Sequence, residues 1–261
     1  EINYSSDNEL GRLCSAFSEM KEELKKSLSA QWEMEQERVW MAESLAHDLK
    51  SPLSIILGYT DSLLENTPDD TEKLRRYLTV IRDNTKKSTA LVQQMQYASD
   101  LERSGLRLEP SPLDIAVFLT QKVQDYQLPA RQKGITLSLH LPERIPRSVC
   151  TDADKLARIL DNVISNSLQY TPQVSTIDIS VKAEKNRLRY IVCDTGSGFG
   201  PKDLKKALDK FYRGDESRQS KGGHSGLGLY IAAQLAGQLG GSVEIGNTKA
   251  GGACVTFWHS I

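Results

Sequence analysis

No run of about 18 apolar residues occurs in the 261-residue chain and no signal peptide opens it, so these residues do not themselves span a bilayer. Neither sign of charge is in surplus. Lys and Arg number 33 against 34 Asp and Glu, which argues against a dedicated nucleic-acid or lipid binder and moves the search for partners to individual sites. The cysteines Cys14, Cys150, Cys193 and Cys254 lie far apart with no C-x-x-C pair, so neither a zinc site nor a disulfide framework is signalled and reduced thiols are expected. Internal repeats and low-complexity tracts are also missing. The chain opens at Glu1 without a methionine, which suggests a piece of something longer, and its length suits about one or two domains.

Proline and glycine are nearly absent from residues 9 to 64, where only Pro52, Gly11 and Gly58 occur. This half therefore reads as long helices. Leu13, Phe17, Met20 and Leu24 step 4-3-4, a coiled-coil seam, and Leu28 then adds a second step of four. That stutter locally unwinds a supercoil. It suits either a signalling helix with two packings or a plain irregularity at a domain junction. "NTPDDTE", residues 66 to 72, marks a turn in which Asp70 or Thr71 can cap the next helix. There Leu74, Leu78, Ile81, Thr85, Ser88, Val92 and Met95 alternate 4-3. One hairpin buries such a stripe poorly, so two hairpins joined as a dimeric four-helix bundle are expected over a single hairpin packed on its own C-terminal domain.

"LAHDLKSPLSII", residues 45 to 56, sets His47 beside Asp48 and puts Pro52 five residues on. Leu45, Leu49, Leu53, Ile56 and Leu64 keep one helix face apolar through the proline. A proline inside a helix costs about 3 kcal/mol. Two readings compete at this point: Ser51 as N-cap with Pro52 as first helical residue, or one helix that bends at Pro52 and carries His47.

After "ERSGLRLEPSPLD", residues 102 to 114, which reads as a linker, the period changes. Ile135, Leu137, Leu139 and Leu141 alternate, as do Ile177, Ile179, Val181 and Ala183, then Leu188, Tyr190 and Val192, and finally Val243 with Ile245 and Val255 with Phe257. Helices over about 114 to 131, 153 to 170 and 225 to 240 separate these strands. The expected fold is an all-α dimeric four-helix-bundle hairpin followed by an α/β two-layer sandwich.

Three polar constellations mark this second half. In "DNVISNSLQYTP", residues 161 to 172, Asn162 and Asn166 share a helix face and offer amide oxygens to a hard cation or amide nitrogens to a phosphate. In "VCDTGSGF", residues 192 to 199, a strand runs into D-x-G-x-G. Its glycines admit a flat ligand, and Asp194 can accept from an exocyclic amine such as adenine N6. In "SGLGLYIAAQLAGQLGG", residues 225 to 241, a G-L-G opens an apolar helix whose free N–H groups suit a polyphosphate. The polar stretch before it, residues 214 to 224, reads as either a functional lid or a disordered loop.

Asn-x-x-x-Asn, D-x-G-x-G, F-Y-R at 211 to 213 and G-L-G-L, in this order, resemble the catalytic ATP-binding domain of the sensor histidine kinases, a Bergerat-type fold shared with gyrase B, Hsp90 and MutL ATPases. Residues 44 to 105 resemble the family's dimerisation and phosphoacceptor hairpin, and "DNELGRLCSAFSEM" resembles the last helix of a HAMP relay module, which usually follows a membrane span. The resemblance implies three regions: a HAMP-like end and signalling coiled coil over 1–28, a phosphotransfer hairpin over 29–105, and a catalytic ATP-binding domain over 106–261. It also implies the cytoplasmic portion of a membrane sensor, attached only through an N-terminal segment missing from this chain.

By the same resemblance "HDLKSPL" is the H-box, with His47 the phosphoacceptor and Asp48 drawing the proton from the imidazole nitrogen that does not attack. Asn162 would ligate Mg²⁺ with Asn166 beside it. Tyr170, Asp194, Gly196 and Gly198 would form the ATP pocket, Arg213 would touch phosphate, and Gly226, Leu227, Gly228 and Leu229 would close the lid. The implied partners are a second copy of the chain and the receiver domain of a response regulator, docked near Leu53, Ile56 and Leu57, with no nucleic acid. The family often has a basic residue where Gln169 stands, and a glutamate where Asp209 stands. Ser51, where threonine or asparagine is common for orienting water in the reverse phosphatase reaction, keeps a hydroxyl without the stiff β-branch. A kinase-dead scaffold and an ATPase clamp of the gyrase or Hsp90 kind are the competing readings. The intact motifs oppose the first, and the H-box with its heptad hairpin opposes the second.

Overall fold

The computed structural model describes residues 8–65, 68, 70–104, 107–142, 145–146, 148–214 and 225–261. Two compact units divide the chain, Glu1–Ser51 and Pro52–Ile261. Helix α1 (Glu9–Glu65) is continuous, with Pro52 inside it, so Ser51 is not an N-cap. Within the first unit the seam residues Leu13, Phe17, Met20, Leu24 and Leu28 are all exposed. An apolar stripe left in water on a single chain is the signature of a surface made to be covered.

In the second unit the end of α1 and helix α2 (Thr71–Ser104) form the hairpin, with Tyr59 meeting Tyr77 edge to face at 4.9 Å. Asp70 opens α2: its Oδ1 accepts from the Glu72 N–H at 2.9 Å. The polar residues in the α2 heptads satisfy their own hydroxyls, since Thr85 donates to the Ile81 carbonyl and Ser88 to that of Asn84. Leu78 and Val92 of the same seam remain exposed.

The rest of this unit is a layer of helices on a sheet. Strands β2 (Ile135–His140), β4 (Ser175–Glu184), β5 (Arg187–Asp194), β6 (Ser242–Asn247) and β7 (Ala253–Ser260) take the order β2-β4-β5-β7-β6, parallel at β2–β4 and antiparallel elsewhere. Helices α3 (Ile115–Gln132), α4 (Ala153–Tyr170) and α6 (Gly228–Gln238) carry buried Leu119, Ile159, Val163 and Ile231. Facing them, Ile177, Ile179, Tyr190, Val192 and Phe257 are completely buried. A short helix α5 (Asp203–Lys206) stands apart. Asp114 and Asp152 cap α3 and α4 through their carboxylates.

Three features depart from the sequence expectations. Residues 111–113, read as linker, form strand β1, which pairs antiparallel with β3 (Val149–Thr151). Helix α6 begins at Gly228 and not at 225, because Gly226 has φ +65°, which a right-handed helix excludes. Cys193 and Cys254 are opposite each other in the β5–β7 ladder and form a disulfide. Their separation of 61 residues hid a proximity that only sheet register creates.

Candidate functional site

Helix α4 supplies one wall. Its apolar face buries Leu156, Ile159, Leu160, Val163 and Ile164 in the layer, which turns Asn162, Asn166 and Tyr170, spaced by four, toward the other side. β5 ends on the second wall at Asp194, and the loop beyond it turns through Gly198 at φ +74°. A Cβ at Gly198 would fall 2.1 Å from the Gly251 carbonyl oxygen, so glycine is required there. Asn247 clasps the loop. Its Oδ1 accepts from the Phe199 N–H at 2.7 Å, and its Nδ2 donates to the Phe199 carbonyl at 2.8 Å.

The third wall is the segment from Tyr212 to Gly214 and the start of α6. Between these elements lies a cavity of about 620 Å³. Of the residues singled out in the sequence, Asn162, Asn166, Tyr170, Asp194 and Gly198 line it from the first two walls. Arg213, Gly226, Gly228 and Leu229 line it from the third. Gly196 and Leu227 are not among its lining residues. Gly196 acts from behind by donating its N–H to Asp194 Oδ1 at 2.9 Å, and Leu227 is fully buried at the foot of α6. Most of segment 214–224, read as a lid, lies outside the described residues.

Asp194 is buried, and burial pushes its carboxyl above the usual carboxylate range. N–H donors from Gly196 and Ala253 and the Ser167 hydroxyl offset that only in part. Asn162 Nδ2 is enclosed and has no hydrogen-bond partner, although a buried amide left unmatched is costly. Asn162 itself lines the cavity. Among the described residues no group of three or more His, Cys, Asp or Glu side chains could hold a metal ion. A divalent cation there would depend on the Asn162 oxygen and on oxygens the ligand brings.

Gln94, Asp203 and Ala253 also line the cavity. Gln94 reaches it from α2 and accepts the Ser225 hydroxyl proton at 2.9 Å. Asp203 accepts from the Gly200 N–H and the Tyr212 hydroxyl, each at 2.9 Å, and so ties two cavity walls together. Nothing local to Gln94 or Asn247 announces these roles, whereas Asp203 stands one turn after the glycine loop.

In the other unit His47 and Ser51, four residues apart, are exposed on one side of α1 and Asp48 is buried.

Residues 151–260 match the family described as "Histidine kinase-, DNA gyrase B-, and HSP90-like ATPase", and residues 40–104 match "His Kinase A (phospho-acceptor) domain". The chain belongs to the histidine kinases. Among its curated relatives, sensor histidine kinase WalK of Bacillus subtilis is 29% identical over 232 residues, covering 88% of this chain and 38% of WalK. The chain spans half or less of the length of the curated relatives it matches. Full-length ShkA, solved in complex with AMPPNP, superposes with a TM-score of 0.63 at 25% identity, over 83% of this chain and 45% of ShkA. Histidine kinase ThkA, solved with response regulator TrrA, shares the fold at a TM-score of 0.66 and 18% identity, over 84% of this chain and 60% of ThkA.

Proposed function

We propose that the chain binds ATP in the cavity between α4, the β5 end and α6, transfers its γ-phosphoryl group to His47, and passes it on to an aspartate of a response regulator. The observation that carries this reading is the meeting of Asn162, Asn166, Asp194 and the Gly226–Gly228 turn in one cavity. Their chemistries match the parts of one nucleotide. Asp194 accepts from the adenine amine, and guanine, with a carbonyl there, faces carboxylate oxygen with oxygen. The N-terminus of α6 presents backbone N–H donors to the phosphates, with Arg213 beside it. Asn162 would hold Mg²⁺ through its amide oxygen, and the ion would supply charge neutralisation at the phosphates.

On α1, Asp48 draws the proton from one imidazole nitrogen of His47 and the other attacks the γ-phosphorus. The bond from that phosphorus to the β–γ bridging oxygen breaks, and ADP leaves. Positioning does most of the work in such a transfer. Ser51, one turn from His47, is the group that would orient water in the reverse, regulator-dephosphorylating reaction. Residues 1–28 act as relay coil, 29–105 as phosphotransfer hairpin and 106–261 as catalytic domain, with α1 running unbroken past the first of these boundaries. The exposed stripes of α1 and α2 pair with those of a second copy. No described helix is long and apolar enough to cross a membrane, so attachment to a membrane sensor would come from outside these residues.

Incubation with ATP and Mg²⁺ followed by intact-mass analysis at alkaline pH tests the reading. One added phosphoryl group that acid removes is expected. An unchanged mass contradicts it.

A further inference from the structure

Cys193 and Cys254 form the last pair of the β5–β7 ladder, with Cα atoms 4.1 Å apart. In β5 the buried Leu188, Tyr190 and Val192 alternate with half-buried Ile191 and Cys193, and in β7 the buried Val255 and Phe257 alternate with half-buried Cys254 and Thr256. Both sulfurs therefore lie on the sheet face away from the helices, where small solutes can reach them. Neither cysteine lines the cavity, but each adjoins a residue that does. Asp194 follows Cys193, Ala253 precedes Cys254, and the Ala253 N–H donates to Asp194 Oδ1 at 3.1 Å. The chains run close here: a Cβ on Gly252 would fall 1.8 Å from the Asp194 carbonyl oxygen.

We propose that Cys193 and Cys254 are a reversible oxidation site that tunes the nucleotide affinity of the adjacent cavity, the cross-linked form binding more tightly. In the forward reaction the thiolate of one cysteine attacks a low-molecular-weight disulfide, whose S–S bond breaks to release one thiolate. The second cysteine thiolate then attacks the mixed disulfide and displaces the other. Two protein thiols and one small disulfide become one protein disulfide and two small thiols, which take up the two protons. Excess small thiol drives the reverse.

The coupling follows from where the ladder stops. Strand ends are the first parts of a sheet to open. With free thiols, nucleotide binding must itself order the ends that hold Asp194 against Ala253. With the cross-link that ordering is already complete, so less entropy is lost when the nucleotide arrives. This inference rests on the cavity being the nucleotide site.

The full chain carrying Cys14→Ser and Cys150→Ser keeps only this pair of thiols. It is treated with oxidised glutathione or with dithiothreitol, its thiol state is read by mass after alkylation, and AMPPNP with Mg²⁺ is titrated into each form. The oxidised form is expected to resist alkylation and to bind AMPPNP at least about fivefold more tightly. A Cys193→Ala/Cys254→Ala chain is expected to bind like the reduced form under both treatments. Equal affinity of the two redox forms, or a pair that glutathione disulfide leaves unoxidised, overturns the proposal. Absence of binding in both forms overturns the nucleotide reading and the coupling with it, and the independently read thiol state distinguishes that failure from the others.

Discussion

The buried Ser225 hydroxyl donates to Oε1 of Gln94 at 2.9 Å, across 131 residues of sequence. It joins the foot of the glycine-rich turn to helix α2 of the hairpin. Glu102, one helical face along α2, accepts from Lys210 Nζ at 2.6 Å and the Tyr230 hydroxyl at 2.7 Å. A double-mutant cycle of Gln94→Ala and Ser225→Ala, read by denaturant unfolding, is expected to give a coupling of about 1 kcal/mol. Additive effects would show that the bond contributes nothing.

Asp194 bears the conflict between binding and stability. Because burial raises its folded pKa, the folded protein holds this proton to higher pH than the unfolded chain. Stability from this group therefore falls as pH rises from the ordinary aspartate value through the raised one. Asp194→Asn removes the buried charge. It is expected to keep or raise the stability of the nucleotide-free protein at neutral pH, by up to about 2 kcal/mol, while weakening AMPPNP binding about tenfold or more. Thermal unfolding and titration together check both signs.

Gly226→Ala and Gly228→Ala should differ sharply. At Gly226, φ is +65° and a Cβ would lie 2.6 Å from Phe211 C and from the Tyr212 carbonyl oxygen, backbone atoms that cannot swing aside. At Gly228 the nearest atom is Asn162 Oδ1 at 3.5 Å, an ordinary contact. Gly226→Ala is expected to cost about 1–3 kcal/mol of strain and to abolish nucleotide binding, with Gly228→Ala far milder. Circular dichroism and AMPPNP titration compare them.

Asp152 contributes to acid stability. Burial alone would raise its carboxyl, but Lys155 Nζ at 2.6 Å and the N–H groups of Glu109 and Lys155, each at 3.0 Å, outweigh burial and hold it below the ordinary value. The resulting stability is present above the ordinary aspartate pKa and is lost as pH falls through the lower folded value. Asp152→Asn keeps a side-chain oxygen to cap α4 but strands Lys155, and is expected to cost about 2–4 kcal/mol at neutral pH and to flatten the acid limb of the stability profile. Urea midpoints across pH measure it.

Local chemistry made much of the fold readable. The strands announced themselves by alternation, and α4 was expected as the helical stretch over about 153 to 170 between them. Asn162 and Asn166 were conspicuous because asparagine is a poor interior helix residue, and Asp194 and the glycines because they fall in the D-x-G-x-G and G-L-G patterns. Pro52 misled one reading, since a local cap rule competed with a stripe extending beyond it. The β1–β3 pair, the Cys193–Cys254 bond, the Asn247 clasp and Gln94 at the cavity all depend on residues brought together from afar, and no local period encodes such meetings.

The most direct measurement of the central claim is labelling with γ-labelled ATP and Mg²⁺, comparing the chain with His47→Gln. Label that is acid-labile and alkali-stable, present on the first and absent from the second, is the predicted result. No label on the unaltered chain, or label that persists in His47→Gln, would contradict the account.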